Sequence, residues 1–300
     1  MKDGPNTEFE VIDIESTTNV CDNLIPFPID NVTGAVGGLG LDSTPLICGG
    51  HNNDNCYLYD SNGWNQTHTM ILSKRISASS SKSPYQDTSL LVMGGKNSQQ
   101  VLNDTAEILN KTEWIQITSY PLAIMEHCMV TIDSTTIMAI GGYTTSLPCS
   151  SNTFYFNINS GFWKEGPKLN TSRHSHSCGL IRKTGQNSII VVGGYNCNGD
   201  LLHSVEILDV GSTEWRKGPE LSFGICDTQL IEGISPTIIN IFGNNHKKQP
   251  TRSYSLKTGP NVALFQELLI LVLLEKSCLR LSYYLRTFSV VYQHLWCSDS

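Results

Sequence analysis

Short apolar runs alternate along the chain with longer polar stretches, and four of these runs end in a pair of glycines. The runs are TPLICGG, SLLVMGG, TIMAIGG and SIIVVGG. Their β-branched and large apolar residues are typical of strands buried inside a sheet. After each run come a strand of mixed polarity, a turn rich in Asn, Asp, Gly and Ser, and a tryptophan. Each period therefore predicts a four-stranded antiparallel sheet.

The glycine pairs and the tryptophans recur at a nearly constant spacing. The pairs begin 45, 47 and 52 residues apart, and the tryptophans are 50, 49 and 52 residues apart. Such a period predicts repeated units that stack to bury a shared core. The residues concerned are Gly49, Gly50, Gly94, Gly95, Gly141, Gly142, Gly193, Gly194, Trp64, Trp114, Trp163 and Trp215.

Both residue types have a structural explanation. A glycine lets the backbone turn tightly and approach a neighbouring chain closely, because it has no Cβ. A tryptophan fills the space between adjacent units, since one unit cannot bury its apolar face alone. We therefore predict structural roles for these residues, and no catalytic residue among them.

With the segment PLAIMEHCMVTID and its counterpart NTSRHSHSCGLI, these features resemble the kelch-repeat family. The resemblance covers residues 31–259 and implies an all-β propeller of four-stranded antiparallel blades. The fifth repeat is degraded, because its doublet has become Phe242-Gly243-Asn244 and no tryptophan follows. Since the family's most frequent ring has six blades, we expect an incomplete six-bladed ring. The predicted repeats are 31–70, 73–119, 121–168, 172–221 and 222–259.

The two ends of the chain differ from the repeats. Residues 1–30 are predicted to be an N-terminal extension, and residues 260–300 form a Leu-rich tail that contains neither glycine nor proline after Pro260. The tail is either a helix that covers an edge of the propeller or the product of an altered reading frame or retained intron that replaced the sixth blade. The second interpretation is favoured, because an open arc of blades would expose unpaired strand edges. The apolar run 268–274 is far shorter than the ~20 residues of a membrane-spanning helix.

Charge and composition exclude some partners and leave the compartment open. The chain has 20 Lys and Arg against 27 Asp and Glu, and no basic run is longer than a pair such as Lys247-Lys248. We therefore expect neither nucleic acid nor a membrane surface as a partner, since both require clustered cations. The first residues do not form a secretory signal peptide, which indicates a cytoplasmic protein. Ten cysteines and five Asn-X-Ser/Thr sequons instead indicate a secreted protein whose signal peptide is missing from this sequence.

The cysteines fall into two sets. Cys128, Cys178 and Cys226 occupy similar points of successive repeats and are interpreted as small buried hydrophobic residues. The second set lies in the loops after the doublets or around the first repeat, and it supplies the candidates for disulfides. These candidates are Cys21, Cys48, Cys56, Cys149 and Cys197.

Enzymatic and metal-binding motifs are weak. His174, His176 and Cys178 alternate along one predicted strand and would present two imidazoles and a thiol on one face. We interpret them as an ordinary first strand without a metal ion, since no fourth ligand lies in the same repeat. No phosphate-binding, serine-hydrolase or zinc-protease motif occurs, and no cofactor is expected. Some kelch propellers are copper oxidases, but their Tyr and Cys ligand set has no counterpart here.

The favoured function is binding of another protein through variable loops on a rigid scaffold. The loops that follow the doublets differ in length and sequence while the strands repeat. The candidate contact residues are His51, Asn53, Asn97, Gln100, Tyr143, Ser146, Tyr195 and Asn198. The resemblance implies an alternative, an intracellular adaptor that recruits substrates to a ubiquitin ligase or associates with actin. A copper-oxidase-like enzyme is the less favoured alternative.

Overall fold

In the first four repeats, the apolar run before the glycine doublet forms the second strand of a four-stranded antiparallel sheet. The computed structural model describes residues 28–29, 34–40, 44–50, 53–70, 75–84, 88–111, 113–182, 185–221, 223–232, 238–244, 252–258 and 263–268. Five four-stranded sheets and one two-stranded sheet make up the regular structure of these residues. No helix capable of crossing a membrane occurs among them. The predicted all-β architecture of four-stranded antiparallel blades is confirmed.

Strand order within each four-stranded sheet follows the chain. The first sheet contains β1 (Val36–Leu39), β2 (Pro45–Cys48), β3 (Asn55–Asp60) and β4 (Gly63–Met70). The second contains β5 (Ser79–Lys82), β6 (Thr88–Met93), β7 (Ala106–Asn110) and β8 (Glu113–Ile117). The third contains β10 (Cys128–Thr131), β11 (Thr136–Ile140), β13 (Thr153–Asn157) and β14 (Phe162–Glu165), beside the small pair β9 (Ile124–Met125) and β12 (Tyr143–Thr144).

The fourth and fifth sheets complete the described part of the chain. The fourth contains β15 (Ser177–Ile181), β16 (Ser188–Val192), β17 (Val205–Asp209) and β18 (Arg216–Lys217). The fifth contains β19 (Cys226–Glu232), β20 (Ile238–Asn244), β21 (Arg252–Thr258) and β22 (Ala263–Leu268).

The predicted boundary between propeller and tail at residue 259 falls inside the fifth sheet. β22 pairs with β21 from Thr258↔Ala263 to Ser253↔Leu268. The change in composition at this point does not end the sheet, because backbone pairing requires neither glycine nor tryptophan. Residues 1–27 and 269–300, and with them most of the predicted extension and tail, lie outside the described residues.

Neighbouring sheets pack face to face, and alternate residues of a strand face different neighbours. In the third sheet Met129 and Ile137 pack with residues of the second sheet. The adjacent residues Val130 and Met138 pack with residues of the fourth sheet. The sheets are therefore held by apolar layers between them, as expected for repeats that cannot bury their faces alone.

Trp114, Trp163 and Trp215 lie toward the repeat that precedes them, whereas Trp64 packs within its own repeat. Trp114 is buried among apolar residues of the first and second sheets. The Nε1 atom of Trp163 donates to the Thr118 carbonyl at 3.2 Å, and that of Trp215 donates to the Pro167 carbonyl at 2.8 Å. Trp64 is half-buried and packs against Ile47 and Tyr57 of the first sheet and against Ala35, which directly precedes β1.

Two buried ion pairs connect the entry of a sheet to its third strand. Arg173 donates to Glu206 at 2.8 Å and to the Gly193 carbonyl at 2.7 Å. Glu206 also accepts the backbone N–H groups of Asn170 and Thr171. The second sheet has the same arrangement, in which Arg75 contacts Glu107 and the carbonyls of Gly94 and Thr105.

Burial makes these pairs expensive to break. The side chains of Arg173 and Glu206 are 0% and 3% exposed. Burial lowers the pKa of Arg173, and the charge and hydrogen bond of Glu206 oppose that shift. Removing one member leaves the other as an unpaired buried charge, which costs more than the intact pair contributes.

We expect Arg173→Met to lower the free energy of unfolding by about 3–5 kcal/mol, because Glu206 loses its counterion. The double variant R173M/E206Q should be more stable than R173M, since it buries no charge. Arg216→Met is the matched control, because the pair of Arg216 and Asp209 is exposed and is worth at most about 1 kcal/mol. Denaturant unfolding measures all three. Equal losses in R173M and R216M would contradict this account.

Candidate functional site

The glycine doublets bring each sheet close to the connection that leads into the next one. The φ values of Gly193 and Gly194 are 65° and 87°, a region that favours glycine. Gly194 N donates to the Ile225 carbonyl at 2.7 Å, and the same bond runs from Gly95 to Ile124 and from Gly142 to Arg173. A Cβ at Gly193 would overlap the Ile225 carbonyl oxygen. Only glycine therefore permits this approach.

A row of backbone hydrogen bonds, here called the belt, joins successive sheets beside the doublets. Ser77 N donates to the Gly34 carbonyl, Glu126 N to the Ser77 carbonyl and Ser175 N to the Glu126 carbonyl, at 3.1, 3.0 and 2.9 Å. All four residues have φ values between 51° and 72°. Each lies two residues before the first strand of its sheet. Positive φ at a residue other than glycine is uncommon and is often found at functional positions.

The belt and the loops after the doublets lie at the same end of the sheets, here called the doublet face. Isolated bridges pair His174 with Tyr195 and Ile76 with Lys96, and thus connect the entry of a sheet with its own doublet loop. A further bridge pairs Ser150 with Arg173 and connects the third and fourth sheets. The doublet face comprises residues 76–77, 96–105, 124–126, 143–152, 174–175 and 195–204.

One carboxylate in the belt collects polar contacts from the next sheet. The Oε2 atom of Glu126 lies 2.8 Å from His174 Nδ1 and accepts the Ser175 hydroxyl at 2.8 Å. The side chains of His174 and Glu126 are 20% and 26% exposed. Burial raises the pKa of Glu126, but the bonds from His174 and Ser175 and the charges of His174 and Lys96 outweigh it, so the pKa is lowered.

The contacts among Glu126, His174 and Ser175 favour a carboxylate that stays ionised over a group that transfers protons. The Ser175 hydroxyl donates to the carboxylate at 2.8 Å, and His174 Nδ1 lies closer to that carboxylate than to the Ser175 Oγ, at 2.8 Å against 3.2 Å, unlike a general base paired with its hydroxyl. A carboxylate with a lowered pKa is also a weak base at neutral pH. The cluster therefore holds an ionised carboxylate on the doublet face and ties the third sheet to the fourth.

Two predicted contact residues, Tyr143 and Tyr195, surround His174. The ring of Tyr195 stacks on His174 at a centroid distance of 5.5 Å, and that of Tyr143 meets it edge-on at 6.2 Å. Both tyrosines are half-buried. Tyr143 and Tyr195 are the first residues of two successive doublet loops, and both pack against the imidazole of His174.

The other predicted contact residues differ in exposure. Gln100, Ser146 and Asn198 are exposed, and Asn97 is half-buried because its Oδ1 accepts the backbone N–H groups of Gln99 and Val101. His51 lies outside the described residues. Asn53 is 5% exposed and donates from Nδ2 to the Gly49 carbonyl. Its prediction as a contact residue is corrected, because it supports its loop from inside.

All seven cysteines among the described residues are disulfide-bonded. The predicted candidates form the bridges Cys48–Cys56 and Cys149–Cys197, while Cys21 lies outside the described residues. The interpretation of Cys128, Cys178 and Cys226 as unpaired hydrophobic residues was wrong, since Cys128 bonds Cys178 and Cys226 is also in a disulfide.

A difference in register explains the Cys128–Cys178 bridge. Cys128 pairs across its sheet with Ile140, the residue directly before a glycine doublet, whereas Cys178 pairs with Val191, one residue earlier. An offset of one residue turns a strand side chain to the other face of its sheet. The two thiols therefore face each other between the third and fourth sheets.

The same bridge occupies Cys178, one of the three candidate metal ligands. Cys178 is in a disulfide, His174 contacts Glu126, and no group of three metal-ligating side chains occurs in the described ranges. The copper-oxidase alternative requires a cysteine linked to a tyrosine. None of the seven described cysteines is free for that link.

Two buried histidines lie between the doublets. A Cβ at Gly142 would meet His127 and one at Gly194 would meet His176, while Ala78 holds the same place beside Gly95. Neither ring nitrogen of His127 has a hydrogen-bond partner among the described residues. Burial lowers the pKa of His127 to about 3. Burial, assisted by the charge of Arg173, also holds the pKa of His176 well below its usual range.

Sequence reasoning missed the buried ion pairs and the belt carboxylate. The ion pairs had a detectable signal, because Arg75 and Arg173 stand at equivalent points before their sheets and are followed by Glu107 and Glu206 in the third strands. The sequence carried no such signal for Glu126, because its contacts depend on a turn that places it beside His174 of the next repeat.

Comparison with known proteins supplies relatives that share this repeat. A family model described as "Kelch motif" matches residues 184–222. "Kelch-like protein 38" of mouse (Mus musculus) is 28% identical over 139 residues, which are 45% of this chain and 23% of the relative. The human protein of the same name (Homo sapiens) is 26% identical over 149 residues, 48% of this chain and 25% of the relative. The matches thus span about a quarter of each relative.

A solved structure has the same architecture. The chain in "Structure of YjhT" superimposes with a TM-score of 0.70 over 85% of this chain and 90% of that one, at 13% identity. This likeness defines the fold class, a β-propeller. The chain thus has a propeller fold, contains one stretch that matches the kelch motif and is similar to two kelch-like proteins.

We expect Gly193→Ala to destabilise the protein much more than Gly199→Ala. Both glycines have positive φ, which costs an alanine about 1–2 kcal/mol. A Cβ at Gly199 meets nothing within 4 Å, whereas one at Gly193 meets the Ile225 carbonyl. Comparison of the two melting temperatures isolates the close approach between sheets. Similar values would show that only backbone conformation matters.

Acidification should destabilise the protein through its buried histidines. Histidines held neutral in the fold stabilise it fully above their unfolded pKa of about 6.5, and that contribution is lost as the pH falls toward their folded values. The folded pKa of His127 is about 3. Below pH 6, this histidine should therefore lower the free energy of unfolding by about 1.4 kcal/mol for each pH unit of acidification. The measurement is denaturant unfolding between pH 7 and 4. His127→Leu should reduce the slope of the free energy of unfolding against pH by that amount, and an unchanged slope would contradict this role of His127.

Proposed function

We propose that this propeller is a non-enzymatic protein-binding module whose partner docks on the doublet face. The observation that carries the proposal is the position of exposed apolar side chains. Four large hydrophobic residues of the described part are exposed, and two of them, Val101 and Leu147, lie in doublet loops. They are 56% and 48% exposed, beside the predicted contact residues Gln100 and Ser146.

The doublet face is also rigid, which favours affinity. The belt, the Glu126 cluster and the Cys149–Cys197 bridge join its loops across successive sheets. Binding then orders fewer groups and loses less conformational entropy. Rigid scaffolds that carry variable loops are a common way to build recognition surfaces.

The disulfides support a secreted module over the intracellular adaptor. Every cysteine among the described residues is paired, and such pairing persists in oxidising compartments. The matches to the kelch-like relatives span only a quarter of those proteins. Roles that depend on the remainder of the relatives therefore do not carry over.

The proposal is tested with two double variants that place aspartates at exposed apolar positions. V101D/L147D should abolish capture of partner proteins from the native source by the immobilised chain, because charges then interrupt the docking surface. I115D/F162D is the matched control, since Ile115 and Phe162 are also exposed but lie in the fourth strands β8 and β14. It should capture the same proteins as the unmodified chain.

Capture is identified by mass spectrometry after cross-linking, and both variants must retain the melting temperature of the unmodified protein. Loss of the same proteins in I115D/F162D, or their full retention in V101D/L147D, would move the binding surface away from the doublet face.

A further inference from the structure

A disulfide joins two of the doublet loops. Cys149 lies in the loop of the third sheet and Cys197 in that of the fourth, and their Cα atoms are 5.1 Å apart, within the usual range for a disulfide. Cys149 is 2% exposed, whereas Cys197 is exposed. The bridge is therefore open to solvent from one side.

The other two described bridges are less accessible. Cys48 and Cys56 join adjacent strands of the first sheet and are both 0% exposed. Cys128 and Cys178 are half-buried in first strands, and Cys178 packs against the apolar layer between the third and fourth sheets. A thiolate must reach a disulfide sulfur in line to attack it. Of the three bridges, only Cys149–Cys197 has an exposed cysteine on a loop.

Neither loop depends on the bridge for its own shape. In the first loop Thr144 and Leu147 exchange hydrogen bonds through backbone and hydroxyl groups. In the second, Asn196 Oδ1 accepts the backbone N–H groups of Asn198 and Asp200. Cutting the bridge therefore separates two loops that each stay folded.

The sheets also remain joined without it. The Cys128–Cys178 bridge, the apolar layer between the two sheets and the Glu126–His174 contact all connect the third sheet to the fourth. Loss of the loop bridge consequently changes the doublet face and leaves the fold intact.

We infer that Cys149–Cys197 is a thiol–disulfide exchange site that sets the spacing of the two loops. A dithiol is the chemical class of reductant that it takes. One thiolate of the dithiol attacks Cys197 Sγ, forms a mixed disulfide and releases Cys149, which takes up a proton. The second thiol then displaces Cys197 as a thiol. The dithiol is oxidised to a cyclic disulfide, and the bridge is reduced to two thiols.

Thiol–disulfide exchange at this bridge does not rest on the proposed binding function. Any effect of the loop spacing on partner binding does rest on it. Exchange and partner binding are therefore tested separately. The first experiment needs no partner, and the capture assay with V101D/L147D is run under oxidising conditions.

The first experiment exposes the folded protein to increasing dithiothreitol, alkylates free thiols and maps them by mass spectrometry. Cys149 and Cys197 should be alkylated at least about tenfold faster than Cys128 and Cys178, while near-ultraviolet circular dichroism stays unchanged. The control C128S/C178S should keep the rate at Cys149 and Cys197. Alkylation of all bridges together, or of Cys149 and Cys197 only after unfolding, would overturn the inference.

The second experiment measures the distance between the loops. Spin labels on non-natural amino acids at the exposed positions 146 and 198 report it by double electron–electron resonance. A narrow distribution should broaden on reduction and should be equally broad in C149S/C197S without reductant. An unchanged distribution would show that the bridge does not set the spacing, even if the capture assay succeeds.

Discussion

Between consecutive sheets, a glycine N–H meets a carbonyl at the entry of the next sheet, and this contact positions the rest of the doublet face. It requires two residues without a Cβ and with positive φ, which only a glycine pair supplies at low cost. Once the backbones meet there, the belt from Gly34 through Ser77 and Glu126 to Ser175 follows. The apolar layers then pack on either side of each sheet.

Polar groups buried beside this contact explain why the doublet face is rigid. Arg75 and Arg173 bind the carbonyls of the doublets Gly94 and Gly193 and are themselves neutralised by Glu107 and Glu206. His127 and His176 fill the space left beside the glycines and remain neutral. The face thus carries little exposed positive charge of its own, and its side chains include tyrosines, amides, apolar groups and the carboxylates of Asp104, Glu126 and Asp200.

The repeat period and the apolar runs predicted the fold class, because glycine spacing and strand pattern are local properties of the chain. The end of the fifth sheet was not predictable, since β22 contains neither glycine nor tryptophan. Among the contact residues, Asn53 was misjudged because a polar residue in a loop can be buried by its own turn. The Cys128–Cys178 bridge was missed because it depends on a register offset of one residue between sheets that only coordinates reveal.

Native-state hydrogen exchange of the belt and doublet amides tests the central claim most directly. If the glycine contact organises the propeller, the amides of Ser77, Glu126, Ser175, Gly142 and Gly194 should exchange only through global unfolding, at the rate of the central strands. The exposed amide of Asn198 should exchange faster. Rapid exchange of the belt amides in a folded protein would show that the sheets are joined by their apolar layers alone and would contradict the account.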